Sequence, residues 1–362
     1  MTKRFLSTIA VLALVAAACG GSTEGSTTTA ADESPTTTAA APEGVLLTYA
    51  LESGDEYQYE VGLDQHIELT ADGDSSLMGD EEIPGDAAID ISGTATFTHV
   101  VSDGPEDGTY EIHITGEFAD VSVTGTVDGG PVDSSETPDF ATLDPIDVTV
   151  VVDEQGNLIE DEIAGDDPLG GMFGDLGALG GSSPAPGLDP GQFFGPKFSD
   201  DEVTVGDTWT DDIETPGLSA DETITTSVTS TVTGVDTLDG AEVFVIESQA
   251  STSLIEFDLA QFFAGMFGAF MPEEATEEET AAFEEMLAEL QFLITIDDTT
   301  SDSTTWFDAE AGLARQSEIT AGTSIAMNMN VPDEETGEMV GFVMDMTIAQ
   351  DITYRLISGP SA

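Results

Sequence analysis

Alternation of apolar and polar residues at every second position dominates this chain from about residue 55 to its end. Clear examples are Tyr57/Tyr59/Val61, Ile89/Ile91, Tyr110/Ile112/Ile114, Val148/Val150/Val152, Ile325/Met327/Met329/Val331 and Phe342/Met344/Met346/Ile348. Clusters rich in glycine, aspartate and proline separate these runs. A period of two is typical of antiparallel strands that bury one face. The pattern therefore predicts a mainly antiparallel β fold with a minor helical part, of the α+β class.

The stretch from about 255 to 292 changes to a helical period. Its first half is strongly apolar, and Pro272 is expected to end that helix because proline lacks the amide donor. Its second half places apolar residues at i, i+3, i+4 and i+7, namely Phe283, Met286, Leu287 and Leu290. We therefore expect an apolar helical hairpin that is inserted between strands.

Three short motifs recur along the chain. The sequence at Gly54–Tyr57 is echoed at Gly206–Trp209, the hairpin at 97–116 is echoed at 231–249, and 149–158 is echoed at 305–313. This order predicts two related β modules, 45–165 and 201–362, joined by a Gly/Pro-rich connector at 166–200. Chance similarity between strands rich in threonine and valine is the alternative explanation.

The first residues have the form of an export signal. Lys3 and Arg4 precede the uncharged apolar run Phe5–Ala18. This run is shorter than the about 20 residues of a membrane-spanning helix and fits a secretory signal peptide. The run ends at Cys19, the one cysteine of the chain.

This arrangement resembles the signal peptides of bacterial lipoproteins. The resemblance implies that residues 1–18 are removed and that Cys19 carries acyl chains such as palmitate. Ala16 departs from the Leu or Val that the family prefers three residues before the cysteine. An ordinary signal peptide beside a chance cysteine is the alternative.

Residues 19–44 follow as a tether rich in Thr, Ser, Gly and Ala, without aromatic residues. Such a composition cannot bury a core, and we expect it to be disordered. The chain is then expected on the extracytoplasmic face of the cell membrane, held in the envelope by the lipid on Cys19, because two acyl chains anchor stably.

The charge of the chain argues against anionic partners. The chain has 73 acidic and 5 basic residues, for a formal net charge of −68. Such a surface repels nucleic acid and anionic headgroups. We also expect salt to stabilise the fold by screening self-repulsion.

No motif identifies a reaction. Pairing Phe97 and Val101 with Ile114 and Tyr110 predicts that His99 lies opposite Ile112, with His113 on the other face. The acidic runs lack the spacing of an EF-hand. The sequence predicts no metal site, no cofactor and no enzymatic activity.

The most distinctive side chains are methionine and phenylalanine. Alternation predicts that Met327 and Met329 share a face with Met344 and Met346, and methionine adapts to irregular apolar partners. The predicted ligand-binding residues are Phe262, Phe263, Met266, Phe267, Phe270, Met327, Met329, Met344 and Met346.

The folded part resembles exported β-rich lipoproteins of unknown function, through Gly54–Tyr57, Gly206–Trp209 and the hairpin Trp306–Leu313. More loosely it resembles envelope lipid carriers, which enclose an acyl chain between a curved sheet and short helices. The resulting prediction is a membrane-anchored lipoprotein whose second module binds an apolar ligand or lipid. The alternative is a structural or interaction lipoprotein without a ligand cavity, which presents its acidic surface to envelope partners.

Overall fold

The computed structural model describes residues 44–73, 85–132, 146–162, 196–216, 223–258, 291–297, 299–332 and 339–360. Within these ranges the strands belong to a single antiparallel sheet, and no helix occurs in them. The predicted antiparallel β fold is therefore confirmed.

Strands β1 to β7 occupy Glu56–Gly73, Asp86–Asp103, Thr109–Val127, Gly130–Pro131, Ile146–Asp153, Leu158–Glu162 and Thr208–Pro216. Strands β8 to β14 occupy Thr223–Leu238, Ala241–Thr252, Ile255–Asp258, Gln291–Ile296, Thr299–Asp308, Leu313–Pro332 and Met339–Ser358. Their order across the sheet is β6-β5-β3-β2-β1-β14-β13-β12-β9-β8-β7, with β4 paired to β3, and β11 paired to both β10 and β13.

The central strands are unusually long. β1 and β2 have 18 residues each, and β13 and β14 have 20 each. At about 3.3 Å per residue these strands are on the order of 60 Å long, whereas strands of about five or six residues are usual. The length follows from alternation that continues along each strand without an internal proline.

The two predicted modules do not form separate units. β1 pairs with β14 along its length, from Gln58 opposite Ser358 to Gly73 opposite Phe342. Both strands thereby satisfy backbone groups that would otherwise lie at exposed sheet edges. The two halves of the chain are consequently one continuous sheet.

The recurring Gly-Asp motif nevertheless forms the same local structure twice. Gly54 and Gly206 have φ values of 97° and 99°. Their amides donate to the carbonyls of Val101 and Val232, at 2.9 and 2.7 Å. The echo in the sequence thus corresponds to a repeated way of starting a strand.

The ends of the predicted helical hairpin are strands instead. Residues 255–258 form β10 and residues 291–296 form β11, paired from Ile255 opposite Ile296 to Asp258 opposite Leu293. Isoleucines in both strands favour this ladder because β-branched side chains pack well on a pleated surface. Residues 259–290, the body of the predicted hairpin, lie outside the described residues.

The sheet is strongly curled. The amide of Tyr49 donates to Glu154 beside β5, at 2.7 Å, and the next amide, of Ala50, donates to Gly312 beside β13, at 3.0 Å. β5 and β13 are five steps apart in the sheet, or about 24 Å if the sheet were flat. Neighbouring residues are only about 3.8 Å apart. The two turns can meet this dipeptide only because the sheet folds around its inner face.

One end of the curled sheet is crossed by residues 44–51 and 196–205, which we call the strap. Val45 and Val203 exchange two backbone hydrogen bonds, and the Phe198 amide donates to Gln155 at 2.9 Å. Leu47, Tyr49 and Phe198 are buried there against Phe307 and Val232. Gly312 makes the crossing possible, because a Cβ at this position would collide with the backbone nitrogen of Ala50.

The opposite end carries a second apolar cluster, which we call the methionine cluster. Its buried members are Ile67, Leu69, Ala87, Ile89, Ile91, Met329, Phe342, Met344, Met346 and Ile348. Among the described residues, every partner packed against it lies in the sheet strands except Val132.

The described part of the chain contains no helix that is long and apolar enough to cross a bilayer.

Candidate functional site

The four predicted methionines of the sheet lie together. Met327 is directly opposite Met344, and Ile325 is opposite Met346. Met329, Met344 and Met346 are buried, and Met327 is partly buried against them. Their common face is produced by the period of two in β13 and β14 together with a register that has no irregularity in this region. These side chains thus form one continuous apolar patch on the inner face of the sheet.

The insertion between β10 and β11 begins and ends beside this surface. β11 pairs with β13 so that Phe292 is opposite Met329 and Ile294 is opposite Met327. Because β10 pairs with β11, residues 258 and 291 lie at the same end of the sheet as the methionine cluster. The insertion, residues 259–290, is therefore attached at the cluster.

Several predicted site residues cannot be placed. Phe262, Phe263, Met266, Phe267 and Phe270 lie outside the described residues, as does Cys19. Their ligand-binding and lipid-anchoring roles remain predictions.

The histidines occupy opposite faces of the β2–β3 hairpin, as predicted. His99 is buried, whereas His113 is exposed and lies 2.6 Å from Asp147. The register differs from the prediction by two residues, since His99 is opposite Ile114 and not Ile112. A shift of two preserves the faces, so the conclusion about them is unchanged.

No group of three or more His, Cys, Asp or Glu residues within the described ranges has the geometry of a metal site. Of the acidic runs noted in the sequence, Asp72, Asp297 and Asp302 are described and are exposed. A solvated acidic surface accounts for them.

A buried polar cluster beside the strap was missed by sequence reasoning. The ring of His99 lies 4.8 Å from that of Tyr59, and His99 is 4% exposed. Burial lowers the pKa of His99 to about 3, so the imidazole is neutral near pH 7. Burial also raises the pKa of Tyr59, although Arg315 partly opposes that shift.

This cluster surrounds a small cavity of about 10 Å³, lined by Tyr49, Leu51, Tyr57, Tyr59, His99, Val101, Ile112, Leu313 and Ala314. Such a volume holds about one water molecule. A lipid-sized ligand needs several hundred Å³. The strap end is therefore a packed closure and not the place for a large ligand. Alternation alone does not reveal it, because the strap is built from two segments that are far apart in sequence.

The cations of the folded part lie away from the methionine cluster. Lys197 pairs with Asp211 at 2.6 Å, Arg315 with Asp308 at 2.7 Å and Arg355 with Asp239 at 3.6 Å. Asp308 also accepts the amides of Glu310 and Ala311, which shapes the turn that the strap crosses. The described cations therefore support the strap end and neighbouring turns, and the methionine cluster is uncharged.

No protein-family model and no curated protein matches the sequence. Among solved structures the chain is similar to the hypothetical lipoprotein YmcC of Escherichia coli, with 12% identity over 78% of this chain and 85% of that chain, and a TM-score of 0.23. It is also similar to lipovitellin, a structure concerned with lipid–protein interactions, with 12% identity over 86% of this chain and 26% of that chain, and a TM-score of 0.36. TM-scores this low assign the chain to neither fold.

Proposed function

We propose that this protein is a lipid-anchored envelope lipoprotein that binds an apolar ligand, a lipid or a similar molecule, at the methionine cluster. The observation that supports the proposal is the pairing of Met327 with Met344, and of Ile325 with Met346, on the inner face of a curled sheet. Methionine side chains are flexible and polarisable, so they adapt to ligands of irregular shape.

The difference between the two ends of the sheet also supports the proposal. The strap closes one end with aromatic residues and leaves space for about one water molecule. The other end carries the methionine cluster and the attachment points of the insertion. A ligand that enters the interior would use the end that the strap does not cross. The insertion and the strand before it, with five phenylalanines between 257 and 270, would then provide a second apolar wall.

Analysis of bound lipid tests this proposal. The full chain is purified from membranes in mild detergent, and organic extracts are analysed by mass spectrometry. We expect a lipid in stoichiometric amount. Met327→Gln should lower its occupancy, because a partly buried amide at this position costs free energy unless it is hydrogen-bonded. Met327→Leu is the matched control, because it conserves volume and apolarity. The proposal would be refuted if no lipid were found in preparations of the parent or of either variant.

Anchoring is tested separately. Cys19→Ser removes the thiol that would be acylated, and it should release the protein into the soluble fraction of the envelope. Equal membrane retention of the Cys19→Ser variant and its parent would show that the lipid on Cys19 is not the anchor. The fold should be unaffected, since Cys19 lies well before residue 44, where the strap begins.

A further inference from the structure

Hydroxyl side chains line the inner face of the sheet between the strap and the methionine cluster. Most of them form cross-strand pairs. The hydroxyls of Thr226 and Thr252 lie 2.7 Å apart, those of Ser230 and Ser248 lie 2.8 Å apart, and those of Thr305 and Ser317 lie 3.0 Å apart. Hydrogen bonds of this kind satisfy buried hydroxyls inside a sheet.

Thr299 and Thr323 differ from these pairs. The two residues are 2% and 6% exposed, yet neither Oγ1 has a hydrogen-bond partner within the described part of the chain. Thr300 is opposite Gly322, and Thr299 and Thr323 are the next residues along β12 and β13. A buried hydroxyl without a partner costs free energy, and native structures seldom leave one uncompensated. Valine would fill the same space without that cost.

The two threonines lie at the border of the methionine cluster. Thr323 is opposite Ile348, a buried member of the cluster. Ile325 and Met327 follow Thr323 on the same face, and Met327 is about 13 Å farther along the strand. An apolar surface that ends at two unsatisfied hydroxyls matches a molecule with a hydrocarbon part and one polar group.

The charge of the site selects the kind of polar group. Each lysine or arginine of the described residues pairs with a carboxylate toward the strap end, and none lies in this region of the inner face. The chain carries a net charge of −68, so the site offers nothing to offset the desolvation of an anion. A hydroxyl both donates and accepts hydrogen bonds, which suits an ester, an amide or another hydroxyl.

We infer that the methionine cluster binds an uncharged amphiphile, whose ester, amide or hydroxyl group is bound by Thr299 and Thr323 and whose hydrocarbon part lies along Met327, Met344 and Met346. This inference rests on the proposed function and narrows it from apolar ligands in general to neutral lipids with one polar group.

Competition between two ligands of equal chain length tests the inference. The full chain is stripped of lipid and loaded with the fluorescent hydrocarbon diphenylhexatriene. Monoolein or oleate then displaces the probe near neutral pH at high salt, on the order of 1 M NaCl, which screens long-range repulsion. Monoolein should displace the probe at a concentration at least about tenfold lower than oleate does, the ratio that about one net hydrogen bond provides.

The double variant Thr299→Val/Thr323→Val should weaken displacement by monoolein about tenfold while it leaves probe binding unchanged. Thr305→Val/Ser317→Ala is the matched control, because it removes two buried hydroxyls that already satisfy each other, and monoolein should displace the probe from it as from the parent. Thr299→Ser/Thr323→Ser keeps both hydroxyls and should restore displacement if the valine variant folds poorly.

The outcomes separate the two proposals. If the probe does not bind, the proposed function fails and the inference fails with it. If the probe binds but oleate competes as well as monoolein, only the inference fails. Equal loss of monoolein displacement in the valine variant and in the control would also overturn the inference.

Discussion

The two ends of this curled sheet are packed by different kinds of side chain. At the strap end Tyr49, Phe198 and Phe307 pack with ring centroids 4.4 to 5.5 Å apart, and the segments that bring them together are tied to two turns by backbone hydrogen bonds. At the other end the described contacts of the methionine cluster come almost entirely from the sheet itself. Rigid aromatic packing favours one arrangement, whereas methionine tolerates several. The comparison indicates that the strap end stabilises the fold, whereas the methionine end is where we propose that a ligand binds.

The largest contrast is expected between a truncation at the strap end and a volume-conserving substitution at the methionine end. Phe307→Ala should reduce the free energy of unfolding by about 3–5 kcal/mol. Phe307 is fully buried beneath the strap, and removal of its ring leaves a cavity there. Met344→Leu should cost less than about 1.5 kcal/mol, since it conserves volume. Urea denaturation measures both. If Phe307→Ala reduced the free energy of unfolding as little as Met344→Leu does, packing at the strap end would not be a main source of stability.

Detaching the strap is the next test. Gly312 has a φ of 60° and Gly240 a φ of 89°, so alanine strains the backbone at both positions. Only at Gly312 does the added Cβ collide, with the backbone and Cβ of Ala50, whereas Gly240 is surrounded by open space. We expect a loss of about 3 kcal/mol for Gly312→Ala and about 1 kcal/mol for Gly240→Ala. Equal losses in thermal or urea unfolding would mean that the strap contributes little.

Acid should act on the strap end through His99. Its folded-state pKa is lowered to about 3 by burial, below the 6.5 of the unfolded chain. The unfolded state therefore binds the proton first, and stability from this group is lost as the pH falls from about 6.5 toward 3, by up to about 1.4 kcal/mol per pH unit.

His99→Leu should flatten this dependence between about pH 6 and pH 4, relative to the parent measured in the same buffers. The many carboxylates contribute to both proteins, so the difference between the two curves isolates the histidine. Parallel curves would show that His99 does not take up a proton on unfolding in this range.

The smallest effect is expected from charge at the strap. Lys197 pairs with Asp211 at 2.6 Å, but both side chains are partly exposed. Lys197→Met should change stability by less than about 1 kcal/mol, because solvent screens such pairs. A larger loss in urea denaturation would mean that this ion pair, and not aromatic packing, holds the strap.

Local patterns predicted the strands and their faces well. The alternation in Phe342/Met344/Met346/Ile348 and in Tyr110/Ile112/Ile114 corresponds to buried positions on the inner face, or to partly buried ones in the case of Tyr110. Between β8 and β9, Asp239 and Gly240 both have positive φ, as an Asp-Gly hairpin turn requires.

Long-range pairing was not predictable in the same way. β1 is the first long strand of the chain and β14 is the last. The alternation in these two strands does not indicate that they pair with each other. For this reason the sequence suggested two related β modules, whereas the described strands form one continuous sheet. The threonines at 299 and 323 were missed because a polar residue in an alternating strand normally indicates the solvent face.

Hydrogen–deuterium exchange of the purified protein, before and after extraction of any lipid that co-purifies with it, tests the proposed ligand binding at the methionine end most directly. We predict that removal of the lipid accelerates exchange at 325–329 and 342–348, while 45–51 and 307–314 exchange at an unchanged rate. Equal acceleration at both ends, or no change at the methionine end, would contradict it.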